Sequence, residues 1–195
     1  PFEISGAVKT ERQAQFHPLK LAAHIANGLP IYENTKALAF EGNRVQTPKG
    51  NITARKIIVA THFPILNKHG MYFLKLYQQR SYVLALEQAQ NGDGMYIGAE
   101  KNSLSFRNYG NLLLLGGGGH RTGKGGGNWA ELKSFAQVNY PGAKVVSQWA
   151  TQDCMTLDGL PYIGQYAAST PGCYVATGFN KWGITNSMVS AIVLR

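Results

Sequence analysis

The sequence predicts an α+β protein, with α/β segments toward both ends of the chain and a mixed, mainly antiparallel sheet between them. Three observations carry that reading. Lys56-Ile57-Ile58-Val59-Ala60-Thr61 is a short, nearly continuous apolar run, the pattern of a strand buried in a parallel sheet. From Tyr77 to Leu115, short apolar runs alternate with turn residues, as in an antiparallel meander. Helical periodicity shows after His17-Pro18, across Trp129–Tyr140 and from Ile184 onward.

Taken in order, Phe2–Phe16 reads as an extended piece. Pro18 stands at an early helical position, where its missing N–H has no partner to lose, and Leu19, Leu21, Ala22, Ala23, Ile25 and Ala26 follow at helical spacing. Asn27-Gly28 ends that helix. Leu29–Leu38 is expected as a strand, and Glu41-Gly42-Asn43 as a tight turn into the strand Arg44–Thr47. Pro48-Lys49-Gly50 turns the chain toward Ile52–Ala54. Ser81–Glu87, Met95–Ile97, Leu104–Arg107 and Asn111–Leu115 are the expected strands of the meander, and glycine-dense Gly116–Gly127 reads as a loop. Pro141-Gly142 stops the amphipathic helix Trp129–Tyr140. Lys144–Trp149 and Cys173–Ala176 are the last expected strands.

The chain has 195 residues, 44% of them hydrophobic and 15% charged, which suits one substantial core or two small ones. The net charge of +9 admits an anionic partner, but Lys and Arg are scattered without a block of like charge, which argues against nucleic acid. Cys154 and Cys173 form no CxxC and have no His at metal spacing, so two reduced, buried thiols in a cytoplasmic protein are expected, and no metal. No apolar run approaches the roughly 18 residues of a membrane span, so no membrane partner is expected. The apolar run Met188–Leu194 has no helix stop behind it, and both ends are expected to be cuts in a longer protein.

Two glycine motifs bear on function. Gly118–Lys124 fits GxxxxGK, the phosphate loop of a nucleotide-binding protein, but that motif needs Ser or Thr next and position 125 is Gly. A flexible connection is the preferred reading. Toward the C-terminus, Leu157-Asp158-Gly159-Leu160-Pro161-Tyr162-Ile163-Gly164 carries turn chemistry, and Gly178-Phe179-Asn180-Lys181-Trp182-Gly183 brackets a basic and an aromatic residue before a helix. That loop either lets backbone N–H groups and a helix N-terminus approach a planar, electron-rich ligand, or it is a helix-start loop with a packed Trp.

Together, Ile31–Ala37, Gln46–Ala54, Ile57–Thr61, Trp149-Ala150, Thr156–Gly164 and Ala176–Ile184 resemble the D-amino-acid oxidase/glycine oxidase family of FAD-dependent oxidoreductases. The order and spacing agree over roughly residues 15–62 and 149–195. The Trp-Gly pairing and Gln152-Asp153 before the Asp-Gly turn resemble most the members that carry a Rieske module. The resemblance implies interleaved domains. Residues 1–14 would end a substrate-domain strand, 15–62 and 149–195 would belong to the FAD-binding domain, and 63–148 would form the substrate-binding domain. The sequence contains no GxGxxG, so the segment that holds the FAD pyrophosphate is expected elsewhere in the full protein, and this stretch alone is expected to bind FAD weakly and to be inactive.

The resemblance also implies site residues. Ala37 matches a backbone contact to adenine, and Ala60 and Thr61 end the strand beside the dinucleotide. Gly164, Gly178, Gly183, Ile184 and Thr185 match the flavin-contact stretch, and Lys181 lies where a positive charge stabilises the reduced ring. His62 replaces a usual Gly. The implied reaction is hydride removal from a carbon beside an amine, in an amine or amino acid, with O₂, an electron carrier or an iron–sulfur module as acceptor. Family oxidases commonly place a carboxylate-binding Arg where this chain has Asp153, which reverses the charge expected in the pocket. Tyr96, Arg107 and His120, on or after expected strands of the substrate sheet, are the other pocket candidates. Outside the resemblance, the alternatives are a non-catalytic basic binding module for nucleic acid and a nucleotide-binding protein built on residues 118–124.

Overall fold

The computed structural model describes residues 2–65, 69–100 and 103–195. Helix α1, Pro18–Ala26, starts with Pro in its first turn, and His17 Nδ1 accepts a hydrogen bond from the Lys20 amide, capping the orphan donors there. Strands β1 (Ala39–Glu41), β2 (Arg44–Thr47) and β3 (Gly50–Thr53) form a small antiparallel sheet around the two predicted turns. Strand β4 is Ile57–Val59. After a 3-10 turn, Tyr72–Leu74, come β5 (Leu76–Glu87), β6 (Tyr96–Ile97), β7 (Ser105–Tyr109), β8 (Leu112–Arg121), helix α2 (Ala130–Asn139) and β9 (Lys144–Thr156). The chain closes with β10 (Tyr162–Gln165), β11 (Cys173–Thr177) and helix α3 (Gly183–Val193).

The larger sheet is antiparallel, in the order β6-β7-β8-β5-β9. Residues paired across an antiparallel ladder share a face. On one face of β5, Tyr82, Leu84 and Leu86 pack with Leu113 and Leu115 beneath Leu132, Ala136 and Tyr140. On the same face, toward the start of β5, Leu76 joins Cys154, Val59, Tyr72, Tyr166, Cys173 and Val175 in a second core. Between the two cores this face carries Gln78, paired in register with Cys154, and Arg80, paired with both Gln152 and His120.

The smaller mixed sheet runs β10-β11-β4, with β11 parallel to β4 and β10 antiparallel to β11. The apolar run at 56–61 therefore does enter a parallel pair. No described helix is long and apolar enough to cross a membrane.

Several expectations are corrected. The glycine run is not a loop: Gly116, Gly117, Gly118 and Gly119 lie within β8. A Cβ at Gly116 would come within 2.6 Å of Ser105 Oγ, and one at Gly117 within 2.6 Å of Leu104 Cδ2, so close packing selects glycine there. Gly118 has φ +62, and β8 holds one more residue than β5 at this point, a bulge that only glycine enters without strain. Residues 118–121 being strand, GxxxxGK does not form the loop of a strand–loop–helix phosphate cradle. Leu29–Leu38 forms no strand, since Asn34 turns the chain at φ 52. Described residues 2–14 form no strand either; Phe2 instead lays its ring against Phe106 and Phe135. Strands β5 and β9 run further than expected because they pair with each other from Leu76↔Thr156 to Glu87↔Lys144.

Candidate functional site

A cavity of about 720 Å³ lies where β4 and β11 end, along α3 from Gly183 to Ala191, and against the C-terminal part of β9. Carboxyl ends of parallel strands and a helix N-terminus are where open α/β sheets receive anionic or planar ligands. Its wall includes Ala60 and His62 after β4, Gln152 and Asp153 on β9, Thr177 at the end of β11 with Gly178 after it, and Gly183 at the start of α3.

Each wall segment is held by short-range chemistry. Gly178 has φ +69, and a Cβ there would lie 2.3 Å from Thr156 Cγ2, so the loop presses directly on β9. Asn180, at φ 53, ties the loop down. Its amide N–H donates to the Cys154 carbonyl at 3.0 Å, its Oδ1 accepts from the Thr156 N–H at 3.0 Å, and its Nδ2 donates to the Gly159 carbonyl at 3.1 Å. Sequence reasoning did not single out Asn180, although an Asn between two glycines is a recognised signal for a left-handed turn residue. The Asp-Gly turn is an Asx turn: Asp158 Oδ1 accepts from the Leu160 N–H at 3.1 Å, and that bond leads the effects holding its carboxyl below the usual range.

His62 adopts φ 65, the conformation a glycine takes most cheaply, so the chain keeps that bend without the glycine. Its carbonyl accepts from the Thr177 hydroxyl, and its Nε2 meets Gln78 Oε1 at 3.3 Å. This links the β4 end to β11 and to the polar row of β5. Cys154 and Cys173 are free and buried, and burial pushes both thiols up.

Asp153 is half-buried. Burial raises its carboxyl above the usual range, while the charges of Lys181 and His62 pull it back. Among the described residues no cation lies within ion-pair distance of it. An acid whose folded-state pKa is raised contributes stability below its unfolded pKa and loses it as pH rises through the folded value. Asp153→Asn is therefore expected to raise the melting temperature at pH 7, with the gain vanishing as pH falls below about 4. A lower melting temperature at pH 7 would show instead that the carboxylate has a stabilising partner.

The structure brings Ala60, Gly178, Gly183 and Asp153 onto the cavity wall. Thr61 lies beside it, with its hydroxyl donating to the Phe63 carbonyl at 2.9 Å. Lys181 is exposed on the loop, and Ile184 and Thr185 occupy the exposed first turn of α3. Ala37 precedes β1, and Gly164 pairs with Val175 inside the mixed sheet; neither lines the cavity. Of the pocket candidates on the sheet, His120 points to the polar row and is hydrogen-bonded to Tyr82 Oη at 2.9 Å, with the rings stacked. Tyr96, on edge strand β6, is 54% exposed. Arg107 lines a separate groove with His17 and Tyr109. Those two stand apart from the cavity. Gln78, Arg80 and Gln152 fell outside the expected strands, which began at Ser81 and ended at Trp149; of the three, Gln152 lines the cavity.

Over its whole length, residues 1–195, the chain matches the family described as FAD dependent oxidoreductase, DAO. It belongs to that family. A Bacillus subtilis (strain 168) protein named as a Rieske 2Fe-2S iron-sulfur protein, YhfW, is 35% identical over 96% of this chain and 40% of its own length. Glycine oxidase from Geobacillus kaustophilus superposes with a TM-score of 0.68 at 21% identity, over 84% of this chain and 47% of that one. Glycine oxidase from Bacillus cereus ATCC 14579 does so with a TM-score of 0.67 at 22% identity, over 89% of this chain and 53% of that one. These two likenesses establish a shared fold, and the chain spans about half or less of each of the three proteins.

The cofactor of this family is FAD, and the residues present fit its ring. Nothing lies within 4 Å of where a Gly183 Cβ would be, so a flat group can approach the start of α3. The first backbone N–H groups of that helix lack intrahelical acceptors and suit an electron-rich edge. Ala60, Ala176 and Ala191 supply apolar wall.

Proposed function

We propose that this chain forms the flavin-facing loop and the substrate-facing sheet of an oxidoreductase that oxidises an amine or an amino acid. The observation that carries the proposal is the shared cavity: one wall is the β4–β11–α3 end, and the other is β9 of the five-stranded sheet. In this reading residues 15–62 and the stretch of 149–195 that follows β9 serve FAD, residues 63–148 together with the remainder of β9 serve the substrate, and the pyrophosphate-binding segment lies elsewhere in the full protein. FAD supplies a two-electron acceptor for the hydride on the carbon beside the amine nitrogen.

The chain's own residues bind and orient. Gly178 and Asn180 set the loop, the α3 N-terminus and Lys181 offset negative charge at the ring edge, and the polar row of β5 faces the substrate. At Asp153 burial outweighs the lowering influence of Lys181 and His62. The relative named as a Rieske protein supports an iron–sulfur module as electron acceptor. Free, buried Cys154 and Cys173 fit a reducing, cytoplasmic setting.

The test is anaerobic mixing of the full-length flavoprotein with a panel of amino acids and the matching amines. Loss of the flavin band near about 450 nm with at least one member is expected. A flavin that stays oxidised with every member of both classes would contradict the proposal.

A further inference from the structure

We infer that Asp153 holds a second, non-reacting cationic group of the substrate, so that the molecule oxidised carries two basic centres; the inference rests on the function proposed above. Its basis is the charge pattern of the cavity wall. Asp153 is the one acid among the described residues that line the cavity, and it stands on β9, the wall given above to the substrate. It is half-buried, so water only partly solvates its carboxylate. Among the described residues that carboxylate has no ion-pair partner; the one ion pair joins exposed Lys9 and Glu11.

The basic groups around Asp153 stand off or are engaged elsewhere. Its register partner on β5 is Gln79, which is neutral. Beyond Gln79 lies Arg121 on β8, about 10 Å away at two strand spacings, and its guanidinium sits 5.1 Å from the centre of the Tyr77 ring. The His62 ring meets Gln78 at 3.3 Å. Lys181 and Arg195 are exposed, and neither makes an ion pair with Asp153. Burial at this carboxyl outweighs what Lys181 and His62 contribute, so its charge is under-compensated. A cation carried by the ligand supplies the missing partner. That cation is not the nitrogen that reacts. Hydride leaves the carbon beside an amine when the nitrogen has a free electron pair to give, and a neighbouring carboxylate keeps a nitrogen protonated. The group on Asp153 is therefore a separate ammonium or guanidinium, while the neutral amine of the same molecule faces the flavin ring.

The experiment compares full-length wild type, Asp153→Asn and Asp153→Glu. Anaerobic flavin reduction is followed with two matched pairs, 1,4-diaminobutane against 1-aminobutane and lysine against norleucine. Guanidinium chloride in the millimolar range, which has no C–H bond to lose, serves as an inert probe of the carboxylate, with sodium chloride as the ionic-strength control and melting temperature as the readout. In at least one pair the dibasic member should reduce wild type with kcat/KM on the order of 30-fold above its partner, the size of one charge-assisted interaction. Asp153→Asn should bring that ratio close to one and abolish the extra stabilisation by guanidinium, and Asp153→Glu should recover part of both. Wild type that treats both members of each pair alike would overturn the assignment while leaving the proposed function intact. So would an Asp153→Asn variant that keeps the preference. If Asp153→Asn does not fold, the wild-type ratios and Asp153→Glu decide. If no member of any pair reduces wild type, the proposed function fails, and guanidinium binding decides the Asp153 site by itself: no stabilisation of wild type beyond that by sodium chloride would refute it.

Discussion

Gly178→Ala in the full-length protein is expected to cost about 2–5 kcal/mol of stability, from the left-handed backbone and the overpacking together. Gly178 has φ +69, and its new methyl group would lie 2.3 Å from Thr156 Cγ2 and 3.1 Å from Leu76 Cδ2. Thr156 cannot swing away freely. It is buried, and both its amide and its hydroxyl lie within hydrogen-bond distance of Asn180 Oδ1. Relief therefore requires the loop to lift off β9, which moves the cavity wall and should lower flavin content in step with stability. Gly159→Ala is the control: φ is +79, but nothing lies within 4 Å of the added carbon. It should lose only the backbone penalty, about 1–2 kcal/mol. Denaturant unfolding and the flavin-to-protein absorbance ratio check both. Equal effects at the two glycines would mean that the loop does not press on β9.

The second large effect is on the chemistry. Lys181→Met should lower the two-electron potential of the bound flavin on the order of 20–30 mV, the size of a tenfold change in such an equilibrium. The reason is that a positive charge at the ring edge favours the reduced anion. Lys181 is exposed, in the loop between Gly178 and Gly183, which line the cavity. Solvent screening keeps the shift moderate and makes it shrink as salt is raised. Dye-equilibration potentiometry at low and high salt measures this directly. An unchanged potential at low salt would place the Lys181 ammonium too far from the ring to act on it.

Much of the fold was legible because hydrophobic periodicity and turn chemistry are local. The helix around Leu132 and Ala136, the Glu41-Gly42-Asn43 turn and the parallel run at 57–59 all form as their residues dictate. What escaped depended on contacts distant in sequence. Gly116 and Gly117 belong in a strand because Ser105 and Leu104 leave no room for a side chain, a fact no local pattern carries. Arg80 fell just outside the expected strand Ser81–Glu87. It is in mid-strand because β5 finds twelve register partners along β9, and that pairing outweighs the polar character of Gln78-Gln79-Arg80. The same pairing brings Arg80, His120 and Gln152 together from three separate stretches of chain. Asp153 was located by resemblance, but only the structure shows that it is half-buried, so that burial raises its carboxyl against the influence of Lys181 and His62.

The central claim is that the cavity between α3 and β9 receives a flavin. The visible spectrum of the purified full-length protein tests it most directly. The account predicts a yellow protein with absorption bands near about 370 and 450 nm that remain after gel filtration. A colourless protein that takes up no FAD when the cofactor is added would contradict it.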